Sequence, residues 1–153
     1  RQRIGLVLPD CQLLTHLTAL DNVALPLKIK GVDVTKARLH ADEMLGWVGL
    51  GDQRLRKPAQ LSEDEKQRVA IARAMITRPS LLLVDEPTGH MDDDAAFNSV
   101  SLLEELHAMG TTVLLATHRR ILVESTPHPE LYIQHGTLQA YYPDAASYPL
   151  LVG

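Results

Sequence analysis

A short apolar run ending in two adjacent carboxylates, Leu81-Leu82-Leu83-Val84-Asp85-Glu86, is where this chain most plainly offers chemistry. An uninterrupted apolar run of strand length suits a strand buried on both faces of a parallel sheet. Open α/β sheets bind ligands at the carboxyl ends of their strands. At such an end Asp85 can hold a Mg²⁺, directly or through water, while Glu86 can polarise an attacking water. Taken singly, these residues are equally a strand followed by a solvated acidic turn. A second apolar run, residues 111–116, leads into Ala116-Thr117-His118. If a helix joins the two runs as a βαβ unit, both strand ends face the same side. His118 can then donate to a γ-phosphate oxygen near Glu86. A lone histidine after a strand is more often incidental, and the seven histidines show no metal-ligand spacing. The pairing with Asp85 and Glu86 is what gives His118 a role.

The elements that must position these residues can be read from periodicity. Residues 1–8 read as a short buried strand ending at Pro9-Asp10. Residues 18–29 are helical but contain Pro26, which lacks an amide hydrogen and is expected to end or bend the helix near Leu25. After Gly31, the spacing of Ala37, Ala41, Met44, Leu45 and Val48 predicts an amphipathic helix, with Gly46, Gly49 and Gly51 marking its exit. Ser62 followed three residues later by Glu65 is a capping box, so a helix starts there and runs to about Thr77. Val69, Ala72 and Ile76 form its inner face. Between the two apolar strands, a helix over residues 94–109 turns Ala96, Val100, Leu103 and Leu106 inward and stops at Gly110. Residues 131–142, with His135-Gly136 at their middle, predict a small hairpin. Residues 143–153 form an uninformative tail.

Bulk properties bound the possibilities. A chain of 153 residues suffices for one domain with a real core, and its net charge of -4 gives no reason to expect a nucleic-acid partner. The single cysteine, Cys11, cannot form an internal disulfide, which suits a reducing compartment. No apolar run approaches the roughly 18 residues of a membrane span, and no signal peptide is visible. The sequence opens at Arg1 rather than Met, so a trimmed or partial polypeptide is expected.

The segment Leu61-Ser62-Glu63-Asp64-Glu65-Lys66-Gln67-Arg68-Val69-Ala70-Ile71-Ala72-Arg73-Ala74 makes a family recognisable. Followed by the acidic strand end, then Gly89-His90-Met91-Asp92, then His118, it resembles the ABC ATPase domains, in the order signature helix, Walker B, D-loop and H-loop. The resemblance covers nearly the whole chain. It implies an α/β fold that is the C-terminal part of a P-loop NTPase domain, with a parallel sheet core plus a helical subdomain. The division it implies is an ATPase part over residues 1–142, with the helical subdomain at about 10–78 and the Walker B and H-loop core at about 79–142. Carried over residue by residue, it implies Glu86 and His118 as catalytic, Asp85 as the Mg²⁺ residue, and Ser62, Gln67 and Asp92 as nucleotide-binding. ATP and Mg²⁺ are the implied cofactors. Within the family, Leu13-Leu14-Thr15-His16-Leu17-Thr18, Asp21-Asn22-Val23-Ala24-Leu25-Pro26-Leu27 and Trp47-Val48-Gly49-Leu50-Gly51 are similar to the FtsE group of bacterial cell division. The lipoprotein-release and macrolide-exporter ATPases share much of this pattern. The FtsE resemblance implies a homodimer of ATPase domains, cytoplasmic and peripheral on the inner face of the plasma membrane, paired with an integral FtsX-like membrane subunit.

Three departures from the family pattern bear on the chemistry. No G-x-x-x-x-G-K-[ST] occurs in these 153 residues, although that loop supplies the backbone amides and lysine that hold the β- and γ-phosphates. The chain alone is therefore expected to be inactive and, with part of its sheet uncovered, prone to instability or non-native association. Glu63 and Asp64 replace the signature's two glycines. A phosphate at about 5 Å would meet repulsion of ~3 kcal/mol per carboxylate at an effective dielectric near 20. Pro9 stands where the family has the Q-loop glutamine, with Gln12 three residues on, and His90-Met91 replaces the usual Asn-Leu of the D-loop. Two readings follow: an FtsE-like ATPase subunit, or a degenerate ABC-fold protein that keeps only its partner contact. A third class, the DNA-repair and chromosome-organising ATPases, inserts long coiled coils, and no extended heptad repeat occurs here.

Overall fold

The computed structural model describes residues 4–89 and 91–141, so residues 1–3 of the expected first strand, His90 and the tail from 142 lie outside the described residues. The chain forms two compact units, Arg1–Thr117 and His118–Gly153. The first holds β1 (Ile4–Val7), α1 (Ala19–Ile29), α2 (Val34–Trp47), α3 (Glu63–Met75), β2 (Leu81–Asp85), α4 (Asp93–Ala108) and β3 (Thr112–Ala116). The second holds α5 (Arg120–Glu124) and the strands β4 (Glu130–Gln134) and β5 (Thr137–Tyr141).

In the first unit the strands pair in parallel in the order β1-β2-β3, with Val7 opposite Val84 and Asp85 opposite Ala116. One face of this sheet, through Val7, Leu82 and Val84, packs on Ala70, Ile71 and Met75 of α3 and on Leu103 and Leu106 of α4. The pleat sends alternate side chains to the other face. There Ile4, Leu6 and Leu114 are 54, 53 and 52% exposed. The expectation of strands buried on both faces is therefore corrected: among the described residues both covering helices lie on one side. Gly5 is required by close packing, since a Cβ there would meet Leu82, Ala74 and Pro79 at 3.0 to 3.1 Å.

A second core lies between helices. Ala37, Ala41 and Leu45 of α2, each fully buried, pack with Ala19, Leu20, Val23 and Ala24 of α1 and with Val69, Ala72 and Ile76 of α3. The predicted stripe of α2 is thus found as read. Of the two outcomes expected of α1 at Pro26, an end or a bend near Leu25, the helix does not end there but runs on to Ile29. Pro26 removes one i→i−4 hydrogen bond, and burial of the apolar face on α2 and α3 outweighs that loss. Thr18 caps the helix by accepting from the Asp21 amide. Asn22, fully buried, accepts from the Leu14 amide at 2.8 Å and donates to the Leu14 and Thr18 carbonyls, which fixes the preceding loop. Asp21 joins α1 to α2, bonding Lys28 at 2.9 Å and Arg38 at 3.3 Å.

In the second unit β4 and β5 pair antiparallel, and His135 and Gly136 both take positive φ, 49° and 76°. Two positive φ values are what a two-residue primed hairpin turn requires. The predicted hairpin is present.

Two measurements test this account of the first unit. Leu45→Ala should lower unfolding free energy by about 3 kcal/mol, read from the urea midpoint at constant slope. A loss below about 1 kcal/mol would show that the helical core is not packed as described. At Asp21, burial pushes the carboxyl pKa up, but bonds from Lys28 and Thr18 and the charges of Lys28 and Arg38 outweigh it and hold the value below normal. A depressed folded pKa means stability that is full above the ordinary aspartate range near pH ~4 and lost as pH falls through the lower folded value. Asp21→Asn should therefore destabilise at neutral pH and match the parent in strong acid. An equal deficit at both extremes would refute the linkage.

Candidate functional site

The acidic strand end is built as a strained corner. Asp85 is the last residue of β2 and is exposed. Glu86 follows with φ 43°, in the left-handed region that non-glycine residues enter at a cost of about 1–2 kcal/mol. Two contacts to the neighbouring strand end hold it there. The Glu86 amide donates to the Ala116 carbonyl at 2.9 Å, and Thr117 Oγ1 donates to Glu86 Oε2 at 3.4 Å. Pro87 and Thr88 are buried behind it. The Glu86 carboxylate is thus aimed by backbone strain and oriented by Thr117. Sequence reasoning passed over Thr117, although it lies inside the motif that singled out His118. His118 itself directly follows Thr117 and opens the second unit.

The start of α3 is also defined in detail. Ser62 Oγ accepts from the Glu65 amide at 3.2 Å, and Glu65 Oε2 accepts from the Ser62 amide at 2.8 Å, so the capping box is complete. The Ser62 hydroxyl is therefore engaged in holding the helix. Glu63 pairs with Lys66 at 2.6 Å and Asp64 with Arg68 at 2.9 Å. Neither carboxylate is therefore bare, in contrast to what the sequence alone suggested. With a cation on each, attraction to the cation offsets most of the repulsion that a nearby phosphate would feel. Asp64 also has a structural task, because Arg68 reaches on to the Val48 carbonyl at 3.4 Å. Gly49, φ 77°, lies under that guanidinium, where a Cβ would come within 3.4 Å of Arg68 Nη1.

Gln67 is 1% exposed, and its Oε1 accepts from Cys11 Sγ at 3.0 Å. Burial, with the Glu63 carboxylate adding to it, pushes the Cys11 pKa up to about 11, so the thiol is a protonated donor at neutral pH. Asp92 is the N-cap of α4, accepting from the Ala95 amide at 2.8 Å. Pro9 lies in the turn after β1. That turn, the first turn of α3 and the loop after β2 meet around a cavity of about 10 Å³ lined by Pro9, Cys11, Glu63, Gln67, Pro87, Gly89 and Met91. The fold therefore brings together the segments that the sequence singled out at Pro9, Glu63 and Gln67 and at the end of β2.

A three-stranded parallel sheet packed on helices, with a strained acidic strand end and a capped helix beside it, defines an α/β class of fold, and comparisons with known proteins agree. The ABC transporter family model matches residues 1–89, and the chain belongs to that family. It is similar to the cell division ATP-binding protein FtsE of Haemophilus influenzae, 44% identical over 139 residues, which are 91% of this chain and 64% of that protein. The FtsE of Mycobacterium tuberculosis is 45% identical over 125 residues, 82% of this chain and 54% of that one. A dimeric post-hydrolysis structure of the ATP-binding cassette MJ0796, bound to ADP and phosphate, superposes with a TM-score of 0.81 at 32% identity, over 94% of this chain and 64% of that one. The chain thus spans between 54 and 64% of the length of these relatives.

The strained corner gives a prediction. Glu86→Gly relieves the left-handed strain and should stabilise the fold by about 1 kcal/mol, measured by denaturant unfolding, while removing the carboxylate. A net loss of stability would mean that the Thr117 contact outweighs the strain.

Proposed function

We propose that this chain supplies the Walker B half of an ATP-hydrolysing subunit of the FtsE type. The observation that carries the reading is the corner at Glu86, where strain and the Ala116 and Thr117 contacts hold a half-buried carboxylate beside the exposed Asp85. Strain of this kind persists where the surroundings over-determine it, and it clusters at functional sites. In this reading Glu86 is the general base that orients and deprotonates water, and His118 donates to the γ-phosphate. Ser62 and Gln67 of the signature helix and Asp92 of the D-loop serve the nucleotide indirectly, by holding helix starts and packing. Among the described residues no group of three or more His, Cys, Asp or Glu could by itself hold a metal. That fits Mg²⁺, which takes one or two protein carboxylates and otherwise keeps water and phosphate oxygens, so Asp85 alone is a sufficient protein ligand. When bound, the ion would neutralise charge on the β- and γ-phosphates.

The FtsE relatives carry the reading further, to bacterial cell division, with ATP as substrate and an integral FtsX-like membrane subunit as partner. A homodimer at the cytoplasmic face of the plasma membrane belongs to the same proposal. Among the described residues no helix is long and apolar enough to cross a membrane. The second reading, a degenerate ABC-fold protein that keeps partner binding, is favoured by the residues at three positions. Pro9 lies where a glutamine is expected, and Glu63 and Asp64 lie where the signature has glycines. The domain division at about residue 78 belongs to the same proposal, with α3 as the boundary helix.

The test is ATP turnover in two proteins: the 153-residue chain, and that chain preceded by a segment carrying a G-x-x-x-x-G-K-[ST] phosphate loop. Turnover is expected only in the second, falling at least ~100-fold in Glu86→Gln, as loss of a general base should. Turnover there that ignores Glu86 would overturn the assignment. Absence of turnover, with ATP binding retained, would favour the degenerate reading. In the same protein Glu63→Gly should raise turnover more than Asp64→Gly, because Asp64 also secures Arg68. Equal effects would count against the division between the two carboxylates.

A further inference from the structure

The turn that follows β1 is strained in a way its own sequence does not explain. The Cys11 amide donates to the Leu8 carbonyl at 3.0 Å, and the Gln12 amide donates to the Asp10 carbonyl at 2.6 Å. The second bond closes a three-residue turn centred on Cys11, with φ 57° there and 41° at Gln12. Turns of this form with a positive central φ are rare and strained. Neither residue is a glycine, asparagine or aspartate, the types that tolerate the left-handed region. Something outside the turn must hold it.

Two side chains of α3 do so. Arg73 donates from Nη2 to the Cys11 carbonyl at 2.7 Å and from Nη1 to the Gln12 carbonyl at 2.8 Å. A planar guanidinium fork presents two donors in fixed geometry, so it accepts successive carbonyls only when both point the same way. That orientation is what the left-handed pair provides. On the same helix Gln67 Oε1 accepts a hydrogen bond from the Cys11 thiol, with both groups buried. Gln67 also lines the small cavity against Pro87 and Gly89, so the held turn abuts the loop leaving the acidic strand.

We propose that Arg73 and Gln67 are positioning residues that fix the residue 8–12 turn to α3, so that turn and helix move as one body beside the loop after β2. Where a side chain at position 9 is proline and can carry no hydrogen bond, the link runs instead through the backbone carbonyls of Cys11 and Gln12. The proposal concerns mechanics and holds whether or not the chain hydrolyses ATP.

Cys11, the only cysteine, reports on this link directly. It is 6% exposed. A thiol pKa near 11 rather than 9.0 leaves roughly a hundredfold less thiolate at pH ~8, so alkylation of the parent is slow. The Arg73 charge lowers that pKa, so removing it would by itself slow alkylation further. Any acceleration therefore reports exposure. The experiment is iodoacetamide labelling of the chain with Arg73→Met, Arg73→Lys, and Val100→Ala as a control that weakens α4 packing elsewhere. Rates are compared at equal global stability, set with urea. Arg73→Met is expected to label at least ~10-fold faster than Val100→Ala, with Arg73→Lys between them. Labelling of Arg73→Met no faster than the control overturns the proposal. Should Arg73→Met fail to fold, hydrogen exchange in the unaltered chain decides. Cys11 and Gln12 amides protected like those of Ala70 to Ala72 support the link, and exchange at the rate of an open loop overturns it.

Discussion

Everything in the first unit depends on α3 being buried along two faces at once. Val69, Ala72 and Ile76 enter the core shared with α1 and α2, whereas Ala70, Ile71 and Met75 enter the core beneath the sheet. A helix with apolar neighbours on two sides has only a narrow stripe left for solvent, and here that stripe carries Glu63 and Lys66 at its start. The remaining polar side chains of α3 are all committed. Ser62 and Glu65 close the cap, Asp64 and Arg68 reach the end of α2, and Gln67 and Arg73 hold the turn after β1. Moving α3 would disturb both cores, the strained turn and the edge of the sheet together.

This arrangement explains how the chemistry is placed. The chain leaves α3 through Arg78, whose φ of 50° reverses its direction, and enters β2 within a few residues. β2 is the central strand, flanked on both sides, so its end is the best-fixed point of the sheet. Asp85 and Glu86 sit at that point. The strain at Glu86 is stored against a rigid frame, which is the condition under which strain can aim a side chain rather than simply relax. The two glycine-to-carboxylate replacements at Glu63 and Asp64 also look different in this setting. They are partners of Lys66 and Arg68 as well as obstacles to an anion, and Asp64 is part of the tie between α3 and α2.

Much of this was legible in the sequence, for definite reasons. The stripe of α2, the capping box at Ser62, the extent of α4 and the His135-Gly136 hairpin each rest on short-range rules of spacing and φ, and each is found. The misreadings have a common cause in tertiary packing. Pro26 was expected to end or bend α1, and the helix, held by two neighbours, does not end there but continues to Ile29. The apolar runs of β2 and β3 suggested burial on both faces, yet Leu81 and Leu83 are only half-buried and Leu114 is exposed. At the site, Asp85 and Glu86 were visible as an acidic strand end, while the left-handed corner was not, because nothing in Asp-Glu-Pro demands it. Gln67 could have been found from its place in the apolar stripe with Ala70 and Ile71, where a polar residue needs a buried partner. Its partner, Cys11, is 56 residues away and no local rule connects them. Arg73 escaped notice for the same reason.

The claim that α3 is one wall shared by two cores is tested most directly by native-state hydrogen exchange along that helix. Amides of Val69 to Ala72 should exchange only through an opening that carries the full urea dependence of global unfolding, and α1, α2 and β2 should open in that same event. If α1 and α2 open in a separate, smaller event while the amides of α3 stay protected by the sheet, the two cores are independent and the account is wrong.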